Sequence, residues 1–200
     1  MRRASMRLNA LMSDTSTTST AFHPDYIAGT WKLDPAHSEL SFWVRHLKVT
    51  KVRGTFDSFD VTIVTAEDPA ESTIEATVDV ASVNTKQEYR DNHLRSGDFF
   101  LAEEHPQMTF RSTSFEADGD DFTIVGDLTL RGVTQPVTLT GELGGVVTMD
   151  DGTVKAGASA TAKINRHDFG VSWNAALEAG GMTLGDDVTI SMELQVILQK

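Results

Sequence analysis

From Trp31 to Leu198 apolar side chains return at every second position and are interrupted by turn residues. A rhythm of two fits strands with one buried face, because successive side chains of a strand point to opposite sides. Leu40, Phe42 and Val44 alternate with Ser41, Trp43 and Arg45, and Phe59, Val61 and Ile63 with Asp60 and Thr62. Ile74, Ala76, Val78 and Val80 follow, then Met108 and Phe110, then Phe122, Ile124, Gly126, Leu128 and Leu130. Val137, Leu139, Gly141 and Leu143 make a further set, as do Ala158, Ala160, Ala162 and Ile164, and Val188 to Leu198 is the longest. Asp118-Gly119-Asp120 and Asp150-Asp151-Gly152 are hairpin signals between them. Hairpin after hairpin predicts an all-β chain, a closed up-and-down antiparallel β-barrel of about eight strands with one short helical insertion.

The insertion is expected where the rhythm stops, over residues 85–96. Thr85 and Glu88 have the spacing of a capping box, and Gly97 is placed to end a helix. A second irregular stretch, Phe169 to Gly185, contains Trp173, Leu177 and Met182 and reads as a long loop or a short helical lid.

A chain of 200 residues buries enough surface to hold one domain without covalent staples. It has no cysteine, which removes thiolate nucleophiles and cysteine-ligated metal sites. Its net charge of -12, with no basic cluster in the sequence, argues against nucleic acid, whose binding needs Lys and Arg to displace counterions. It argues equally against a broad contact with an anionic membrane. No stretch offers the roughly 18 apolar residues of a membrane span, so no stable membrane insertion is expected. Arg2, Arg3 and Arg7 precede a polar tract, Ser13 to Thr20, without an apolar run between them. Residues 1–28 therefore read as a disordered leader, residues 29–200 as the barrel domain, and the cytoplasm as its setting.

A barrel of about eight strands can fill its interior or leave room for one ligand. Gly54, Ala76, Ser112, Gly126, Gly141, Ala158, Ala160 and Ala162 are all small and all on the apolar faces, where a packed core prefers larger residues. One reading is a tunnel whose lining, free of inward charges, accepts hydrocarbon. The other is that the small residues face bulky ones and interdigitate.

Five segments resemble one family. Asp34-Pro35-Ala36-His37-Ser38 with Phe42 and His46 is similar to its opening strand, and Val52-Arg53-Gly54-Thr55-Phe56 to its next. Asn84-Thr85, Arg90 to Ser96, Asp98-Phe99-Phe100 and Pro106 resemble its helical insertion. Gly126 to Thr134 and Arg166-His167-Asp168-Phe169-Gly170 resemble two later motifs. Together they cover about residues 29 to 200 and identify the chain as resembling the YceI-like proteins, polyisoprenoid-binding proteins with a lipocalin-like barrel. Leu101 departs from the pattern, since an aspartate is expected after the paired phenylalanines. The resemblance implies a tunnel for a polyisoprenoid, isoprenoid quinone or similar long-chain lipid, held for carriage or storage. It implies no catalytic residues and no cofactor, and a homodimer is among the assemblies it implies.

On that reading the expected lining includes Phe42, Val44, Phe56, Phe59 and Ile63 from the first strands, and Phe110, Leu128, Ala160 and Met192 from the later ones. Phe169, Trp173, Leu177 and Met182 are expected to join it from the irregular stretch. A functional reading places Arg90 or Arg95 on a lipid head group, as the guanidinium fork suits a diphosphate, and His46 at the barrel mouth. The plainer reading is that the arginines fasten the helix over the barrel. Each buried methylene contributes roughly 0.8 kcal/mol against an association cost of roughly 4 to 15, so a long chain is favoured over a short one. None of the six histidines has metal-ligand spacing, and no nucleophile motif accompanies the acid-imidazole neighbours. A packed barrel serving as an interaction module and a hydrolase-type enzyme are the alternatives.

Overall fold

The computed structural model describes residues 26–176 and 182–200. Its strands are β1 (Gly29–Leu33), β2 (Glu39–His46), β3 (Thr50–Phe56), β4 (Phe59–Thr65), β5 (Thr73–Asp79) and β6 (Val83–Asn84). After helix α1 (Glu88–Arg95) come β7 (Gln107–Asp118), β8 (Asp121–Leu130), β9 (Val133–Thr148), β10 (Val154–Asn165) and β11 (Leu184–Leu198). These eleven strands follow eight courses. β1 and β2 lie end to end along β11, with Trp31 opposite Leu198 and Leu40 opposite Met192. β3 and β4 run back along them, Gly54 beside Phe42 and Ile63 beside Trp31. β5 and β6 repeat the arrangement on the next course.

The first course breaks because Pro35 has no N–H to give a ladder. Pro35–His37 instead forms a 3-10 turn, and the Asp34 carboxylate accepts from Ala36 N. The same carboxylate accepts from Lys155 Nζ at 3.0 Å, Gln195 Nε2 at 2.7 Å and His37 Nδ1 at 3.0 Å. The kink is thereby pinned to β10 and β11. Lys155 above all, with Gln195 and His37, holds the Asp34 carboxyl well below the usual carboxylate range.

β1 pairs with β4 on one side and β11 on the other, which closes an antiparallel ring of eight strands. Two-residue turns join β7 to β8 and β8 to β9. Arg131 and Gly132, at φ +53° and +74°, turn β8 into β9. Leu47 and Lys48, at φ +54° and +58°, open the three-residue turn between β2 and β3, a conformation that costs a side-chain-bearing residue about 1–2 kcal/mol.

The helix forms where the alternation stops, but its cap is Gln87, whose side chain accepts from Arg90 N. Thr85 cannot cap it, because its own N–H and hydroxyl donate to the buried Asp91 carboxylate. Ser96, one residue before Gly97, ends the helix. With the loop after it, the helix closes one end of the barrel, where Val80, Val83 and Phe169 are almost wholly buried. Phe56 lies there between Phe42 and Phe100, ring centroids 5.4 and 5.8 Å away. The stretch from Phe169 is a loop among the described residues: a 3-10 turn over Arg166–Phe169, a left-handed Gly170, and an irregular run to Ala176, which bridges to Met182.

Candidate functional site: an apolar cavity open at one end

A cavity of about 210 Å³ occupies the barrel on the side away from the helix. Its deep wall is made by buried Leu40, Val78, Met108, Leu128 and Ala162. Toward the other end the lining residues, among them Tyr26, Ile27, Phe115, Phe122 and Val146, are only half-buried, so the cavity opens there. No polar atom of the described residues faces its interior. The polar groups at the mouth instead satisfy one another. Trp31 Nε1 donates to Thr65 Oγ1 at 3.0 Å, and the Thr65 hydroxyl donates to the Ile27 carbonyl at 2.7 Å. The Tyr26 hydroxyl donates to the Ala66 carbonyl at 2.7 Å, beside Ser72 Oγ at 3.0 Å. Tyr26 is the one titratable side chain among the described residues that line the cavity.

The small inward residues divide into two groups. A Cβ on Gly54 would lie 2.6 Å from the Phe42 ring, and Cβ atoms on Gly126 and Gly141 would collide with the rings of Phe110 and Phe122. Those glycines seat aromatic rings and are interdigitated, as in a packed core. Ala76, Ala158, Ala160 and Ala162 line the cavity and leave it open.

Five of the residues expected in the lining are there: Ile63, Phe110, Leu128, Ala160 and Met192. Phe56 and Phe169 are buried in the core at the closed end instead, and Phe42 and Phe59 pack against that core. Val44 sits lower on the wall between Val52 and Val188. Trp173 packs outside it, its ring edge-on to His93 at 4.9 Å and tilted against Phe99 at 5.3 Å. Met182 is 54% exposed, and Leu177 lies outside the described residues. Those of these positions that are described belong to the closed end, a separation that alternation along single strands does not carry.

Arg90, Arg95 and His46 are at that end too. Arg90 Nε donates to Thr85 Oγ1 at 2.7 Å and its Nη2 to the Thr85 carbonyl at 2.9 Å. Arg95 donates to the carbonyls of Ala81 and Val83 at 2.7 and 3.0 Å. Both fasten the helix to the barrel. His46 ends β2, opposite Thr50 and Leu184.

Sequence reasoning missed Trp31, Leu40, Phe115, Phe122, Ile190 and Val196, which all line the cavity. Most share the inward parity of their strands and could have been found by it. Phe115 could not. A bulge between Ser112 and Ser114 shifts the register of β7, so Phe110 and Phe115, an odd number of residues apart, both face inward. Among the described residues no group of three or more His, Asp or Glu side chains is placed to hold a metal ion, and no helix is long and apolar enough to cross a membrane.

The profile of the YceI-like domain matches residues 31–196. A UPF0312 protein of Staphylococcus aureus is 44% identical over 158 residues, 78% of this chain and 90% of its own. The crystal structure of the Campylobacter jejuni YCEI protein is similar with a TM-score of 0.68 at 33% identity, covering 78% of this chain and 90% of that one. A polyisoprenoid binding domain from Saccharophagus degradans, implicated in plant cell wall breakdown, shares the fold with a TM-score of 0.60 at 18% identity, over 84% of this chain and 98% of that one.

Proposed function

The chain belongs to the YceI-like domain family, and from that premise we propose that its barrel binds a long-chain apolar lipid, a polyisoprenoid or isoprenoid quinone, for carriage or storage. The observation that carries this reading is the cavity, about 210 Å³ with every polar group of the described lining turned away from its interior. An enclosed empty volume of this size costs about 5 kcal/mol at the rate measured for cavities in protein cores, which is an upper bound for a cavity open at one end, and a hydrocarbon guest recovers that cost. Water does not, since it needs polar partners that this lining lacks. A cavity somewhat smaller than this one holds a benzene ring, so the enclosed part takes on the order of ten carbons. At roughly 0.8 kcal/mol each they barely offset the cost of association. The remainder of a longer chain lies against Tyr26, Ile27, Phe115 and Val146 at the mouth, and its contacts there decide retention.

A binding role fits this lining better than a catalytic one. General acid-base chemistry needs a titratable group within reach of the reacting atom, and among the described residues lining the cavity the one titratable group is the hydroxyl of Tyr26, already donated to the Ala66 carbonyl.

Mass spectrometry of organic extracts from protein purified without detergent tests the reading. Stoichiometric lipid with an isoprenoid chain is expected. Ala160→Trp fills the cavity and is expected to lose that lipid while keeping the folded circular-dichroism spectrum. Equal retention by this variant, or repeated recovery of empty wild-type protein, would sink the proposal.

A further inference from the structure

We propose that the guest of this cavity has an uncharged head, and that the barrel discriminates against the phosphorylated form of the same chain; this rests on the lipid-binding reading above. A diphosphate at the mouth would need cations, because an anion moved toward an apolar wall loses hydration that only opposite charge or hydrogen-bond donors replace. None of the described residues lining the cavity is Lys, Arg or His. Lys155, on a strand that reaches the mouth, is held 3.0 Å from the Asp34 carboxylate.

Most of the charges around the mouth have the same sign as a phosphate, with Lys200 close enough to Asp151 to act on its carboxylate and Lys32 donating to Thr62 Oγ1 at 2.6 Å. Asp68 and Glu71 are exposed on the loop that delivers Ser72 to the lining. Glu116 and Asp118 follow Phe115 into the β7–β8 turn, and Asp150 and Asp151 lie in the β9–β10 turn beyond Val146. The site is the cavity; these carboxylates are the field at its opening, and clefts rimmed by one sign of charge raise or lower ligand concentration accordingly.

Most of the described cations, Lys32, Arg111, Lys155 and Lys200 apart, lie toward the other end. Residues 39–56, which form the β2–β3 hairpin, carry Arg45, Lys48, Lys51 and Arg53 against one acid, Glu39. The turn of that hairpin lies at the helix end of the barrel, and there Arg90 and Arg95 are bound to backbone carbonyls and Thr85. The core around Phe56 and Phe169 separates all of them from the cavity.

Two probes with the same chain isolate the head: geranylgeraniol and geranylgeranyl diphosphate, titrated into delipidated full-length protein by calorimetry. At low salt the alcohol is expected to bind at least roughly ten-fold more tightly. Raising salt to about 0.15 M shortens the screening length to about 8 Å and is expected to narrow that gap. In the double variant Glu71→Lys/Glu116→Lys the diphosphate is expected to gain roughly ten-fold while the alcohol, which does not touch these side chains, keeps its affinity. Equal or tighter binding of the diphosphate by the wild type overturns the proposal and leaves lipid binding standing. Failure of both probes to bind overturns lipid binding itself.

Discussion

The two ends of the barrel hold their chain by different means. At the closed end four arginines collect backbone carbonyls from irregular segments. Arg131 Nη1 donates to Gly97 and Phe99 at 2.6 Å each, and Arg166 donates to Val171 at 2.6 Å and to Trp173 and Gly185 at 2.9 Å, while Arg90 and Arg95 anchor the helix. At the mouth no guanidinium plays this part among the bonds described above, and short hairpins with Thr65, Ser72 and Tyr26 hydroxyls suffice. The difference follows from backbone accounting. A loop leaves carbonyls without ladder partners, and a planar fork of five donors can take several at once, whereas a tight hairpin satisfies its own. One end is thereby made a fixed floor, and the other keeps an apolar opening.

Removing one of these fasteners breaks the comparison most sharply. Arg166 is 4% exposed; burial lowers its pKa, Asp186 at 3.6 Å from Nη2 opposes that, and Nη2 itself makes no hydrogen bond. Arg166→Ala strands three carbonyls and leaves a void, and is expected to cost about 3–5 kcal/mol in urea unfolding. A loss below about 1 kcal/mol would mean that the loop it holds does not matter to the floor.

A smaller pair of changes asks whether the two ends differ in packing. At the closed end Gly54→Ala drives a methyl against the Phe42 ring and Thr85 Cγ2, 2.8 Å away, and is expected to destabilise by about 1–3 kcal/mol. At the mouth end Ala160→Leu adds a larger group to empty space and is expected to stabilise the lipid-free protein by about 1 kcal/mol while weakening lipid retention. Two losses of similar size would show that the cavity is closed in solution, and the comparison would then fail.

The same division decides what could be read from sequence. Alternation along β5, β8 and β11 is a local property of each strand, so the antiparallel barrel and its inward faces were legible before any pairing was known. The resemblance to YceI-like proteins rested largely on Asn84 to Pro106, Gly126 to Thr134 and Arg166 to Gly170, and much of these segments builds the closed end. They announce the fold and say little about the lining. The cavity depends on quantities that no single strand contains. Which course reaches which height, the bulge that turns Phe115 inward, and the rings laid across Gly126 and Gly141 are all settled between strands. Arg90 and Arg95 show the same limit: their chemistry suits a diphosphate, but Thr85, Ala81 and Val83 lie within reach and the mouth does not. Leu101, where an aspartate was expected, adopts φ +52°, a left-handed conformation that Asp and Asn adopt more readily than Leu, so the departure is local to that turn.

The mildest test acts at the seam between the two ends, the Asp34 kink that joins β1 of the mouth to β2 of the floor. Asp34 is ionised in the fold and its pKa is depressed, first by the hydrogen bond from Lys155 and further by Gln195 and His37. A group depressed on folding contributes stability above its unfolded pKa, about 3.9 for aspartate, and loses it as pH falls toward the folded value. Asp34→Asn cannot make that contribution at any pH. The variant is therefore expected to melt below the wild type near neutrality, with the difference constant down to about pH 5 and shrinking steadily as the solution is acidified through the unfolded pKa. A gap that stays constant through that range would assign the loss to the shape of the kink and not to its charge. The floor and the mouth would then be joined by packing alone.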